Sequence, residues 1–499
     1  MALSKEYKRL IFGIKLKHYR THHKLSLQKL SDSTGISISY LNEIEKGKKF
    51  PKRDKIEELS AALNISYEDL ISERLDNKLS PLVELLQSGI LSELPLDMFG
   101  LEPSKLLELL SNAPSKLNAF IGTLFEISRN YDLRVETFYF SVMRSYQEIH
   151  NNYFEELELA AEGFLKKYKI DVTTPLSTRK LENLLYQEFN YKIIYDSFED
   201  QESLSDMRSI LKPGGRSRPK LILNSALNSR QRAFNLAKEI GHAYLELNER
   251  TLTSPWVDVT SFEQVLNNFK ASYFASSILI NRKSFLIDLE SFFQKPKWEP
   301  NILIDTMRNY NATPEMVLQR MTNLLPQYFN FKELFFFRFS NVPFSGIYRL
   351  SKELHIAREH TPRGTVLQEH FCRRWLFISI LDQLAYNQKN DYETTELGGA
   401  QIDKYYDTGE EFLVLSLASP LSPTPGVNSS LALGIRIDEN VRTKIKFITD
   451  DSLSTKLVND TCERCNAINC KERAAEPHVY KELKKETDRR KGLVNYFKK

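Results

Sequence analysis

Cysteine is scarce and unevenly placed: the chain has four in 499 residues, and none among the first 371. That argues against a disulfide framework, and it suggests a metal or redox role as readily as unpaired core thiols. Long apolar runs are missing too. No stretch reaches the roughly eighteen residues that a membrane-spanning helix needs, and no charged-then-apolar signal segment opens the chain, so a cytoplasmic residence is expected. An excess of either charge is lacking, for 69 Lys and Arg against 65 Asp and Glu leave a formal net of +4. Nucleic-acid affinity therefore cannot be read from the total and has to come from a local patch. What is present is ordinary for a globular protein, 41% hydrophobic and 27% charged residues, in a length that suits roughly two to four domains.

The first local patch comes early. Leu10, Phe12, Ile14, Leu16 and Tyr19 supply apolar positions for a first helix. Ser26 is placed to cap a second, Leu27 to Ser33, and Gly35 to turn the chain. Ser37 can cap a third helix from Ile38 to Glu45, which Gly47 ends. Two short helices joined through a glycine turn form a helix-turn-helix, whose second helix enters the major groove of DNA. The loop that follows, Lys48-Lys49-Phe50-Pro51-Lys52-Arg53, suits phosphate oxygens.

Leu25 to Ser31, Gly35-Ile36-Ser37, Tyr40-Leu41, Ile44 to Gly47, Pro51, and Leu59, Ala61 and Leu63 closely resemble the Cro/repressor-type helix-turn-helix family. The resemblance implies that Ser37, Ser39, Tyr40 and Asn42 face bases, and that Lys46 and Lys48 face phosphates. Leu27 departs from the family, which often places a polar phosphate-contacting residue there, so one backbone contact is expected to be weaker.

From about Ile71 to His150 the chain is helical in pattern and poor in glycine, and Pro81, Pro95, Pro103 and Pro114 divide it into short helices. It reads as a connector that either pairs two chains or packs on its own core. Beyond it, Tyr191 to Tyr195 and Lys220 to Asn224 read as strands, followed by helices from Arg230 to Leu247 and from Val265 to Ile280. The first of these helices carries Lys238-Glu239-Ile240-Gly241-His242. An H-E-x-x-H helix sets two imidazoles on one metal, with the Glu as general base. Here a lysine, whose ammonium has no lone pair, stands at the first ligand position.

The order strand, helix, helix resembles the ImmA/IrrE-like metallopeptidase family. Its third ligand is a Glu placed three residues before an Ala-x-x-Phe-Ala pattern. Ala271, Phe274 and Ala275 form that pattern here, so the ligand position is Asn268. A lone His242 does not hold zinc tightly, and without zinc no water is activated. The expectation is a degenerate site of Lys238, Glu239, His242 and Asn268 with no catalytic zinc. Lys238 and Glu239 are expected in local ion pairs, and His242 as a satisfied polar residue.

In the C-terminal part, Thr313 caps a helix from Met316 to Leu325 that Pro326 stops. Leu334 to Phe339, Phe412 to Leu417 and Leu431 to Ile437 read as strands, in a mixed α/β sensor-type domain. All four cysteines fall here: Cys372 after Glu369, His370 and Phe371, and Cys462, Cys465 and Cys470 in a C-x2-C-x4-C run. Three clustered thiols and one distant partner give the ligand count of a [4Fe–4S] cluster or of a structural zinc site. His370 or His478 could replace Cys372, and reduced thiols in a surface loop are the remaining reading.

That C-terminal run, ending in Arg473-Ala474, joins the two resemblances above and a run from Pro314 through Arg320 to Pro326. Together they resemble the short-chain fatty-acyl-responsive transcriptional regulators of bacteria over nearly the full chain. The resemblance implies a DNA operator and short-chain acyl-CoA as effector, and in some members an iron–sulfur centre. Residues between Phe335 and Trp375 match that family less well. The last twenty residues read as a solvated helix or frayed tail.

The fold expected is mainly α with α/β portions: an N-terminal all-α helix-turn-helix, a zincin-like α+β middle, and a mixed α/β C-terminal domain. The divisions fall at residues 1–72, 73–150 (connector), 151–330 (degenerate peptidase) and 331–499 (cysteine-bearing). The function expected is a homodimeric, sequence-specific DNA-binding regulator and not an enzyme, responding to an acyl-CoA or to a cysteine-bound centre. The alternatives are an ImmA/IrrE-type metallopeptidase and an antitoxin-like autoregulatory binding protein.

Overall fold

The computed structural model describes residues 5–72, 135–198, 202–215, 217–257, 259–356, 369–390 and 396–497. The chain divides into two compact units: residues 1–141 with 260–262, and residues 142–259 with 263–499. Most of the expected connector, residues 73–134, lies outside the described residues.

The first unit opens with five helices: α1 (Lys5–His22), α2 (Leu27–Thr34), α3 (Ile38–Glu45), α4 (Arg53–Leu63) and α5 (Tyr67–Ile71). The local signals act as the sequence suggests. Ser26 Oγ accepts the Lys29 N–H at 3.1 Å, and Ser37 Oγ accepts the Tyr40 N–H at 3.3 Å. Each satisfies a donor that the first helical turn leaves open. Gly35 sits at φ 69°, left-handed backbone that a side chain would strain. Phe12, Leu16, Leu30, Leu41, Ile44 and Leu59 fill the core of the head. Two ionic contacts pin its edges. Arg20 grips Glu45 at 2.6 and 3.0 Å, and the buried Lys15 ammonium caps the end of α5 through the Asp69 and Ser72 carbonyls at 2.7 and 2.6 Å.

Helix α6 (Val135–Ile149) carries the division between the units, and the second unit continues with α7 (Glu155–Lys167) and α8 (Thr178–Gln187). Strands β1 (Lys192–Asp196), β2 (Ser209–Lys212) and β3 (Lys220–Asn224) precede α9 (Ser229–Tyr244), and β4 (Thr253–Ser254) precedes α10 (Phe262–Leu279). The sheet order is β1-β3-β2-β4, with β1 parallel to β3 and β2 antiparallel to both of its neighbours. A capping box starts α9: Asn228 Oδ1 accepts the Gln231 N–H at 3.0 Å, and Gln231 Oε1 accepts the Asn228 N–H at 3.1 Å.

Helices α11 (Arg282–Gln294), α12 (Ile302–Asn309) and α13 (Pro314–Leu324) follow, then β5 (Leu334–Asn341), β6 (Arg349–Ile356) and α14 (Leu376–Lys389). The chain goes on through β7 (Leu397–Tyr405), β8 (Glu411–Pro420), β9 (Asn428–Arg436), α15 (Glu439–Lys444), β10 (Thr455–Val458) and α16 (His478–Phe497). The six-stranded order is β10-β7-β8-β9-β5-β6; only β10 runs parallel to its neighbour. Thr313 caps α13 through the Met316 N–H at 3.3 Å. Pro326 does not stop the chain there. A π-helical turn carries it from Leu325 to Phe329, because the wider ladder tolerates the missing proline donor.

The boundary expected at 330/331 separates no two cores. Leu236 of α9, Phe274 of α10, Leu318 of α13 and Leu433 of β9 belong to one apolar cluster. A buried ion pair crosses the same layer: Arg320 of α13 donates to Glu158 of α7 at 2.5 and 2.8 Å and to the Ile280 carbonyl at 3.1 Å. Tyr273 Oη donates to the same carboxylate at 2.8 Å. Helix α16 buries none of its side chains, as a solvated helix would.

Candidate functional site

Three groups of residues carry chemistry, and the first is α3 with the loop after it. The cap Ser37 and Ser39 are exposed, Tyr40 and Asn42 are half-buried, and Lys46 and Lys48 are exposed. Leu41 and Ile44 point into the core, so the opposite side of the helix is free to meet a surface. Lys49 lies over the Tyr40 ring at 5.7 Å and pairs with Glu43 at 2.8 Å, which sets the ring at the end of the exposed face. A short, well-capped helix with hydroxyl, phenol and amide groups outward and lysines at its C-terminal end can read base edges and hold phosphates.

The second is the degenerate metal centre. Gly241 lets α9 approach α10: a Cβ there would lie 3.0 Å from the Ala271 carbonyl and 3.1 Å from Phe274 Cδ1. That close approach packs the motif helix against the helix that carries Asn268. Glu239 is buried and fully engaged. Arg250 grips both of its oxygens at 2.6 and 2.7 Å, and Tyr191 hydrogen-bonds to it as well. Glu239 thus pairs eleven residues away rather than locally, and a carboxylate held by a bidentate guanidinium is a poor general base.

Lys238 forms no ion pair among the described residues. Burial first, then the Arg250 guanidinium, push its ammonium down to about 7. His242 is met by the Leu247 backbone, which favours its charged form, while its buried Nδ1 finds no hydrogen-bond partner among the described residues. Burial, then Arg250 and Lys238, push its imidazole down to about 2 and keep it neutral. Asn268 Oδ1 is likewise buried without a partner. A water can be centred in only about 10 Å3 of the cleft, far less than a peptide requires. Arg250, which sequence reasoning missed, lies in a loop after the motif helix, and no spacing rule pointed to it.

The third is a corner where the cysteines meet. Phe371 and Thr461 form an isolated antiparallel bridge. Around it the Cys372 N–H donates to the Asp460 carbonyl at 3.1 Å, and the Cys462 N–H to the His370 carbonyl at 2.8 Å. The bridge carries Cys372 to within electrostatic reach of Cys462 and Cys465, while Cys470 acts on Cys465. Among the described residues, no group of three His, Cys, Asp or Glu side chains stands at metal-binding spacing.

Burial pushes the Cys372 thiol up to about 12 and raises Cys465 as well, the behaviour of protonated thiols in a dry setting. Several donors nevertheless face sulfur. The Ala474 N–H reaches Cys462 Sγ at 3.3 Å, the Ala467 N–H reaches Cys465 Sγ at 3.4 Å, and the Asn459 and Arg374 backbones act on Cys372. Arg473 ties the turn from within, donating to the Cys462, Cys465 and Ala467 carbonyls at 2.5, 3.1 and 2.7 Å. Glu369 accepts a bidentate Arg464 at 2.7 and 2.9 Å. His370 bonds Glu463 through Nδ1 at 2.7 Å, and the His478 ring faces the Glu476 carbonyl at 3.3 Å. The fold thus brings the cysteines to one corner, but not to metal-binding spacing.

Comparison with known proteins adds to this geometry. Residues 13–73 match the family described as "Helix-turn-helix domain", and residues 187–322 the family described as "IrrE N-terminal-like domain" of the M78 peptidases. No curated protein matches the chain significantly. A solved structure of a Mycobacterium tuberculosis transcriptional regulator is similar at 18% identity and a TM-score of 0.49, over 67% of this chain and 93% of that one. The chain therefore carries a helix-turn-helix head and an IrrE-like domain. No described helix is long and apolar enough to cross a membrane.

Proposed function

We propose that this protein is a cytoplasmic, homodimeric, sequence-specific transcriptional regulator and not an enzyme. The observation that carries the reading is the head: a helix-turn-helix match over residues 13–73 whose second helix leaves Ser37, Ser39, Tyr40 and Asn42 on or near an open face, with Lys46 and Lys48 beside it. Heads of this kind bind paired half-sites, so two chains must be joined. The test is binding of the full chain to its own promoter region in gel-shift or anisotropy assays across a salt series. Affinity should fall steeply with salt, and Lys46→Gln with Lys48→Gln should flatten that slope by roughly one to two. Salt-independent binding, or none, removes the reading.

Two inputs are proposed for the second unit. One is a short-chain acyl-CoA, by resemblance. The other is a centre held by Cys372, Cys462, Cys465 and Cys470, supported by the approach of Cys372 to the C-x2-C-x4-C turn and by the donors that face the Cys372, Cys462 and Cys465 sulfurs. A [4Fe–4S] cluster there would supply a charge that depends on redox state, and a structural zinc a fixed crosslink. Arg473 would hold the turn in shape, and the backbone N–H groups would stabilise thiolate sulfur. Anaerobically purified protein should be brown and Cys465→Ser should bleach it; a colourless zinc protein would select the second form, and a metal-free one neither.

The peptidase reading has one finding in its favour, the IrrE-like match. It predicts stoichiometric zinc that is lost on His242→Ala. The engagement of Glu239 by Arg250 and the lysine at the first ligand position argue for the regulator.

A further inference from the structure

Helix α16 is anchored to the second unit by its first turn, where the Tyr480 N–H donates to the Glu463 carbonyl at 3.0 Å. Beyond that turn every residue from Lys481 to Phe497 is exposed, with Leu483, Leu493 and Phe497 at 54%, 57% and 80%. A helix in water is held chiefly by packing an apolar face, and among the described residues α16 buries no side chain. Gly492 inside it lowers the intrinsic preference for helix further. The internal Glu486–Arg490 pair at 2.5 Å is an exposed contact one turn apart and adds little. Within its own chain, α16 thus lacks a surface that would stabilise it.

The pattern along the helix indicates what that surface is. Val479, Leu483, Glu486, Arg490, Leu493 and Phe497 recur at alternating steps of four and three residues, so they share one stripe. Apolar residues occupy both ends of the stripe, and an acid and a base occupy its middle. Two copies laid antiparallel set Val479 against Phe497, Leu483 against Leu493 and Glu486 against Arg490. Each pairing then occurs twice, as a two-fold axis requires. A parallel alignment instead sets Glu486 on Glu486 and Arg490 on Arg490, like charges within the seam. Arg489, beside the stripe, meets its own copy only at the wet edge, where salt screens the repulsion. A nucleic acid would be drawn to Lys484 and Lys485 on the opposite face, which leaves the apolar ends of the stripe uncovered.

We propose that α16 is a self-docking element, which pairs antiparallel with α16 of a second copy of this chain through the stripe from Val479 to Phe497. The inference rests on the homodimeric part of the proposed function and names the surface that makes the dimer. Because Glu463 lies in the cysteine-bearing turn, that turn and the dimer contact share one anchor.

The test is sedimentation velocity of the full chain over a dilution series, read as a dimer dissociation constant. Wild type should be a reversible dimer. Leu483→Glu with Leu493→Glu should weaken dimerisation roughly a hundredfold or more, since apolar burial is lost and charge is placed in the seam. Glu486→Arg and Arg490→Glu should each weaken it about tenfold, and the two together should restore wild-type affinity, because the exchange keeps the antiparallel match. All four positions are exposed, so the melting temperature at dilutions where wild type is monomeric should not change. A lowered melting temperature there would mean that the helix packs on its own chain, and it overturns the proposal. Failure of the exchange to restore affinity overturns it as well. Wild-type affinity in the double leucine variant overturns the seam and keeps a homodimer joined elsewhere. If that variant stays dimeric but loses affinity for DNA of any sequence, the helix is a nucleic-acid arm instead. A monomeric wild type overturns the seam and the homodimeric reading together, and the promoter salt series then judges the head by itself.

Discussion

Two corners of the second unit treat buried charge in opposite ways. At the degenerate centre the Lys238 ammonium forms no ion pair among the described residues, and the neighbouring acid, Glu239, is already bound to Arg250. At the cysteine corner, Cys372 and Cys462 flank the Phe371–Thr461 bridge beside the buried Asp460 and Glu463, and Tyr405 lies within electrostatic reach of Cys372, Asp460 and the buried Asp403, with Arg473 facing carbonyl oxygens rather than acids. One corner leaves a lysine ammonium without an ion pair among the described residues. The other holds a thiol and a carboxyl whose protonated forms burial favours. Burial thus works against the charged form at both corners, from opposite signs of charge.

The standard for both is the Arg320–Glu158 pair, buried to 0% and 1% exposure yet satisfied on every side. Breaking it should give the largest effect of any change considered. Arg320→Met leaves Glu158 buried beside Tyr273 without its counter-charge, and should cost about 3–5 kcal/mol in urea unfolding. A loss under about 1 kcal/mol would mean that Glu158 recovers water or a proton, and that this layer is looser than the two corners resting on it.

Next in size is the acid corner. Asp403 is fully buried on β7, and burial pushes its carboxyl up to about 7, against the downward pull of the Gln401 hydrogen bond. A folded-state pKa above the unfolded one means that the folded state keeps its proton between about pH 4 and 7 while the unfolded chain releases it. Stability from this group is therefore full below about pH 4 and is lost as pH rises to 7. Asp403→Asn should leave stability at pH 4 nearly unchanged and add on the order of 2 kcal/mol at pH 8. An equal effect at both values would show that a charged Asp403 has found a partner, and the contrast between the corners would weaken.

The head was the most legible part in sequence, because caps, turns and helix periodicity act over a few residues. Ser26, Gly35 and Ser37 each perform the role their position suggests. The degenerate centre was half legible. Lys238 and Asn268 stood out against a motif, whereas Arg250 and Tyr191 reach Glu239 from loops through tertiary packing that no spacing encodes. The cysteine corner shows the same limit: the C-x2-C-x4-C turn was visible, but the approach of Cys372 depends on one bridge between Phe371 and Thr461. Of the strands, β2, β4, β6, β7 and β10 were missed. β6 is largely exposed at the sheet edge and β7 opens on two glycines, so neither presents an apolar run.

The smallest effect should come from the cation corner, and its pH dependence should have the opposite sign. Burial and then Arg250 hold the Lys238 ammonium near 7, below its ordinary value of 10.5. Between these values the unfolded chain binds a proton that the folded chain does not, so stability from this group rises with pH across that window. Below about pH 7 the charge is carried in both states, and its full desolvation penalty remains. Lys238→Met should therefore stabilise the protein at pH 6.5 by on the order of 1 kcal/mol, a figure held down by the half-buried setting, where solvent screens the charge. The gain should fade as pH approaches 10, where Asp403→Asn keeps its full effect. Opposite pH slopes in the two single variants, and their sum in the double variant, would establish that the corners are independent sites of opposite polarity. A common slope would reduce them to one coupled network.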